Sequence, residues 1–459
     1  TRVSMRNVAP LALRGDQDMT SKPGTWKLLV PSFLLLAFGT SQFAAAVPTT
    51  LCVNPAGSGG CYKTITAALA AASAGSTVNV AAGTYAEDVV ISKSVYLMGA
   101  GSAKTVVNAR GLDNAIYVDG LDNPGLSGVT VTGFKLENAN FEGFAATSVS
   151  NLNFSGNLVT GNDKSQDTGN GTCPGLPAWE TAEGLDCGEG IHLAGTSYST
   201  IANNVSEGNA GGLLITDNTA ISQYNVISGN TIKDNLYDCG ITMPSQPQYP
   251  SNANGSVPFG VYNNVIYGNT STGNGTGLAG AGAGVLLAVG APGESIKNTM
   301  IIGNTITNNG IPGVVFHGHS SGDAIQNTIV AGNTISGNGA DVGDAVTLGT
   351  TGINFFGAHT SSVPGGLSGT QIYGNTISEE QYDITYNSGV PLSVHLNNLL
   401  FTPYVTVAGL VNNDSTGIGS VDASQNYWDC SGGPTVGGCS AVVGSNVNPN
   451  PYLTTTAPY

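Results

Sequence analysis

GNTITNN, Gly303 to Asn309, decides how this 459-residue chain is read, because near copies of it return along most of the sequence. They are GNLVTGN from Gly156, ANNVSEGN from Ala202, GNTIKDN from Gly229, GNTSTGN from Gly268, GNTISGN from Gly332 and GNTISEE from Gly374. The repeated Asn stands at 157, 204, 230, 269, 304, 333 and 375, so the steps are 47, 26, 39, 35, 29 and 42 residues. A floor near 26 residues with variable excess describes one structural turn that carries insertions. So short a unit cannot bury a core alone, so its copies must stack and share one.

Between the copies runs a second phrase, a Gly followed by alternating residues: GIHL at Gly190, GLLI at Gly212, GITM at Gly240, GVLL at Gly284, GVVF at Gly313 and GINF at Gly352. Period-two alternation means strands with one buried face. The 66 Gly, together with Asn, Thr and Ser between the strands, supply tight corners. Neither helical periodicity nor hairpin spacing competes in this region. An all-β, single-stranded, right-handed parallel β-helix satisfies the pattern, with Asn230, Asn304, Asn333 and Asn375 stacked as an amide ladder at one corner. At least eight coils are expected between Val78 and Trp428.

The stretch CYKTITAALAAASAGSTVNVAAGTYAEDVVISKSVYLMGAG, Cys61 to Gly101, resembles the opening of pectin-lyase-like β-helix proteins. The GNTI copies and NYWDCSGGP from Asn426 resemble secreted β-helix repeat proteins of the carbohydrate-binding and sugar-hydrolase type. The resemblance spans nearly the whole chain after residue 46 and implies a fold shared by lyases, hydrolases, esterases, epimerases and binders. GTYAE at Gly83 matches the pectin methylesterase opening, but that family's later motifs are missing. HGHSSG at His317 resembles a polygalacturonase motif without that family's paired aspartates.

Residues 1–46 read as upstream residues plus a secretory signal: Lys22 and Lys27, then LLVPSFLLLAFG from Leu28, then three Ala from Ala44. The apolar run is too short to span a bilayer, so the expected location is secreted, periplasmic or cell-surface. The signal holds five of 13 basic and two of 29 acidic residues, which leaves 8 against 27 and a net charge of −19. That charge excludes nucleic acid and anionic lipid as partners. With Arg110 as the only arginine after residue 46, a polyuronate substrate is disfavoured, because carboxylates are held by Arg and Lys. The expected partner is a polysaccharide or cell-surface glycan met by a monomer, with calcium as the one candidate cofactor.

Seven cysteines in an exported chain imply disulfides, paired by loop as Cys52 with Cys61, Cys173 with Cys187 and Cys430 with Cys439. Cys239 is left over, pointing inward by alternation as a buried thiol. The organisation expected is an N-terminal cap over 47–76, closed by a short helix bearing Ile65, Leu69 and Ala72, then the β-helix over 77–428. A loop-rich cover and tail occupy 429–459, and insertions after Asn162, Pro244 and Gly339 leave the rungs.

The Gly phrases align His192, Leu214, Thr242, Leu286, Val315 and Asn354 on one outward column, a face that could cradle a sugar chain or lie beneath inserted loops. Beside it Trp179, on the Asp163 to Asp186 insertion, offers a stacking plane, and on the face Thr242 and Asn354 offer polar groups. LDCGEGIHL supplies Asp186, Glu189 and His192, and the next rungs bring Asp217 and Asp238. Glu189 and Asp238 are expected about 10 Å apart at matching corners with Asp217 on the rung between, as glycoside hydrolysis requires of paired carboxylates; calcium ligation or loop capping suits the same acids. His317 and His319, two apart on a strand, form a candidate metal pair completed by Asp341 and Asp344. Two readings follow, a polysaccharide-cleaving or modifying enzyme and a non-catalytic adhesin or glycan binder.

Overall fold

The repeated Asn side chains are buried and bonded to one another, and this sets the architecture. The computed structural model describes residues 47–165, 172–180, 187–249, 258–343, 349–360, 362, 366–434 and 437–458, all within the unit Ala46–Tyr459. In it Asn304 donates its backbone N–H and its Nδ2 to Asn333 Oδ1 at 2.8 and 2.9 Å, and Nδ2 also reaches Ile266 O at 3.0 Å. Asn157, Asn204, Asn230, Asn269, Asn333, Asn375 and Asn397 repeat the pattern to end on Asn426. Every polar atom of these buried amides is thereby used, as burial demands. The step from Asn375 to Asn397 is 22 residues, so the minimal turn is shorter than the 26 expected from the copies.

A second ladder stands five residues on. It runs Asn162, Asn209, Asn235, Asn274, Asn309 and Asn338 and ends on Glu380, whose Oε1 accepts Asn338 N–H and Nδ2 at 2.9 and 3.0 Å. Between the ladders the strand centres Ile232, Ile306, Ile335 and Ile377 are fully buried, and on the preceding sheet Ile201, Ile227, Ile266, Ile301 and Ile372 stack likewise. Each such side chain stabilises the coil by about 1.5–3 kcal/mol.

Among the described residues the chain winds through three parallel sheets of 14, 12 and 11 strands, with a further 4-stranded sheet beside them. Strand pairing begins at Thr50–Val53 and reaches Val447–Asn448, so sheet structure extends past both limits expected for the β-helix. The cap helix is Ile65–Ala71, with Thr64 as N-cap and Ile65, Ala68 and Leu69 buried. Its free N–H groups at Ile65 and Thr66 are taken by Glu87 at 2.9 Å each. All three expected disulfides are present, and Cys239 is a free buried thiol.

The Gly phrase marks a close approach. A Cβ on Gly190 would lie 2.1 Å from Ser206 Oγ, and one on Gly284 would lie 2.2 Å from Ile306 Cγ2. The strand therefore turns in against the ladder corner where only Gly fits.

Candidate functional site

The strands that follow these glycines form the 12-stranded sheet, and they differ from the others in burial. Glu189–Ala194, Gly211–Thr216, Ile241–Ser245 and Val314–Gly318 are buried at every residue, whereas strands such as Thr305–Thr307 expose alternate positions. The outward column His192, Leu214, Thr242, Leu286, Val315, Asn354 is in the register expected. It is covered, however, by the insertions. Trp179 packs on Ala145 and Ala194 with Tyr117, Leu121 and Tyr249, so two insertions roof the early part of this face.

His192 lies under that roof, 1% exposed, with its ring 5.6 Å from that of Trp179. Its Nδ1 faces two carboxylates, Glu180 Oε2 at 2.9 Å and Glu142 Oε1 at 3.3 Å, and its Nε2 meets Thr216 Oγ1 at 3.1 Å. Glu142 comes from the rung before, and its Oε2 accepts Glu189 N–H at 2.8 Å. Burial pushes the Glu142 carboxyl up to about 8 against the pull of His192. For His192, burial opposes the charged ring, yet Glu180 and then Glu142 carry it up to about 10. Glu142, Glu180 and His192 are the one group of three metal-type donors found among the described residues, with ligand atoms within 4.8 Å of one another.

The other expected catalytic acids do not join this cluster. Glu189 pairs in register with Gly211 and Ala194 with Thr216, so Asp217 sits six residues along from the Glu189 level, about 20 Å at strand rise. It does not occupy the corner between Glu189 and Asp238. Asp217 instead closes the base of an insertion, accepting Gln246 N–H at 2.7 Å, Ser245 Oγ at 3.0 Å and Gly260 N–H. Burial raises it to about 6 against those three donors. Asp238 lies two rungs from Glu189, offset by one residue, accepts Thr242 Oγ1 at 3.3 Å, and is raised by burial. Glu189 is 3% exposed. Asp186 lies outside the described residues.

The expected sugar contacts are also enclosed: Trp179 is 9% exposed, Thr242 3% and Asn354 2%. Trp179 stacks on Tyr117 at 5.8 Å, and Asn354 Oδ1 accepts Thr385 Oγ1 at 2.7 Å. Cys239 corrects a further expectation. It faces outward, into a small apolar cluster with Ala283, Ile311 and Val315, because the alternation breaks at the inturned Gly240.

Of the candidate metal quartet, His317 Nε2 lies 2.8 Å from Asp341 Oδ2, and the His319 ring is 5.2 Å from that of His317. His319 is exposed and Asp344 lies outside the described residues. The pair is joined, but its donors do not converge as those around His192 do.

An open surface exists elsewhere, on the outside of the first Asn ladder. There Asn203, Ser228, Gly229, Tyr267, Gly268 and Gly303 line an open trough of about 450 Å³. Tyr267 is 56% exposed, and its ring lies beside Gly303, where a Cβ would come within 3.6 Å. The glycines at 229, 268 and 303 all have φ of 63°, so the left-handed corner keeps this strip free of side chains.

A family model described as right handed beta helix region matches residues 95–257. No curated protein matches the sequence. Among solved structures, the A-module of mannuronan C-5 epimerase AlgE4 from Azotobacter vinelandii aligns over 85% of this chain and 94% of its own, at 18% identity and TM-score 0.44. The Agl-KA catalytic domain aligns over 85% of this chain and 63% of its own at 14% identity and TM-score 0.42. An alginate lyase from Paenibacillus sp. str. FPU-7 aligns over 87% of this chain and 99% of its own at 13% identity and TM-score 0.31. The fold of this chain is a right-handed parallel β-helix.

Proposed function

We propose that this chain is an exported protein that binds a neutral polysaccharide on the open corner of its coil, without cleaving it. The observation that carries this reading is the trough around Tyr267. An exposed aromatic ring beside a strip of bare glycine backbone, flanked by Asn203 and Ser228, is the kind of surface on which a pyranose ring stacks while its hydroxyls reach amide and hydroxyl groups. Because the strip repeats from rung to rung, at roughly 4.8 Å spacing, it suits an extended chain better than a compact ligand. Three disulfides and the acidic composition accord with export and with a neutral glycan. No helix among the described residues is long and apolar enough to cross a membrane.

Binding is favoured over turnover because the residues first read as catalytic are enclosed or engaged: His192 lies under Trp179, and Asp217 fastens an insertion. The test is retention on a panel of insoluble neutral polysaccharides, with released reducing ends measured in parallel. One polysaccharide should retain the protein without releasing sugar, and Tyr267→Ala should weaken retention by up to roughly tenfold, the worth of one stacked ring. Retention untouched by that substitution, or release of reducing ends, overturns the reading.

A further inference from the structure

The hydrogen-bond chain behind His192 fixes which of its nitrogens carries a proton. Asn218 donates Nδ2 to Trp179 O at 2.5 Å, which turns its Oδ1 toward Thr216. Thr216 spends its hydroxyl proton on that Oδ1, at 2.6 Å, and so offers His192 Nε2 only a lone pair, at 3.1 Å. Nε2 is therefore the N–H. The opposite nitrogen, Nδ1, faces Glu180 and Glu142 at 2.9 and 3.3 Å. Two carboxylates on one buried ring nitrogen require a cation at that place, either the second proton of a charged ring or a metal ion held by all three groups.

We infer that this position is a metal site, in which His192 Nδ1, Glu142 and Glu180 bind one divalent transition ion of the zinc type. Zinc bonds of about 2.0–2.2 Å in a tetrahedron set neighbouring donors about 3.3–3.6 Å apart; Nδ1 stands 2.9 and 3.3 Å from the two carboxylate oxygens, and all three ligand atoms lie within 4.8 Å of one another. An imidazole nitrogen among the ligands favours zinc, cobalt or nickel over calcium, which takes oxygen. The Thr216 and Asn218 relay then fixes the tautomer of a ligating histidine, with the second ring nitrogen hydrogen-bonded. Two carboxylates, a neutral imidazole and a dication sum to zero charge, which suits a site whose histidine and Glu142 are at most 1% exposed. Glu180 belongs to the insertion while Glu142 and His192 belong to successive rungs, so the ion ties the insertion to the coil beside the Cys173–Cys187 disulfide.

The test uses the full exported chain, folded with zinc and then with cobalt in its place. The expected result is about one equivalent of tightly held zinc by mass spectrometry, and a raised melting temperature. Cobalt should give visible bands of tetrahedral intensity and quench Trp179, whose ring is 5.6 Å from that of His192. His192→Gln should lose the equivalent, whereas a His317→Ala, His319→Ala double variant should keep it. The cobalt spectrum and quenching are read on the unsubstituted protein, so they decide the matter even where His192→Gln fails to fold. Protein that folds in excess zinc or cobalt and carries neither, with no shift in melting, means that a proton holds the position and overturns the inference. Metal lost with the 317 and 319 pair instead overturns it equally.

Discussion

Glu380 shows how one residue ends a repeat and leaves a titratable mark. It takes the place that Asn fills on six earlier rungs, accepting the bonds of Asn338 while burial holds its carboxyl up to about 8. Asp383, three residues on, takes the inturned Gly position of the earlier rungs and is raised well above the carboxylate range by burial, then by Glu380 and Asp429. Both acids hold their protons more tightly folded than unfolded. Their contribution is therefore complete below about 4.5, the ordinary value for Glu380, and is lost as pH rises through about 8. Unfolding free energy should fall between about pH 4.5 and 8, and Glu380→Gln should remove on the order of 4–5 kcal/mol of that fall. Denaturant titrations of both proteins across this range check it; parallel pH profiles would show that Glu380 does not contribute. Asp217 was read from the sequence as an acid for catalysis, and it became a clasp because its place at the far end of a strand depends on register that composition does not reveal.

At the scale of elements, the Asn ladders carry the coil from rung to rung and the strands between them supply the apolar core. Asn304→Ala takes away the side-chain bonds to Ile266 O and the Asn269 N–H and Nδ2, leaving Asn333 Oδ1 only the backbone N–H of residue 304, and should cost about 2–4 kcal/mol. Asn298, exposed at a different corner with φ of 58°, donates to Asn263 at 3.0 Å; Asn298→Gly keeps the left-handed turn and should stay within about 0.5 kcal/mol. Equal losses in thermal melts of the two variants would contradict the ladder's role. The first ladder was legible because its Asn closes a phrase repeated seven times, and the second was written in the same phrase, five residues later. Glu142 could have been found as well. Its EG dipeptide precedes the EG of Glu189 by 47 residues, the step separating Asn157 from Asn204. Glu180 could not, since the insertion that carries it has no period to align.

For the molecule as a whole, the insertions decide which surface is free. Repeats announce where loops leave the rungs, but not whether those loops stand up as walls or lie down as a roof. Here Trp179 and Tyr249 lie on the sheet, Asp217 fastens one loop at both ends, and His359 reaches Asp414 at 3.0 Å. The glycan face read from the Gly column is thus closed, and the open surface lies over the Asn corner, where the same glycines that make the turn leave the backbone bare. The most direct measurement is hydroxyl-radical footprinting with and without a neutral polysaccharide that retains the protein. Oxidation of Tyr267 should fall by about half or more on binding, as a stacked ring loses solvent, while Tyr404, fully exposed on a distant loop, keeps its rate. Tyr267 oxidised at an unchanged rate, with protection confined to roof residues such as Tyr249, would place the polysaccharide on the covered face and contradict the account.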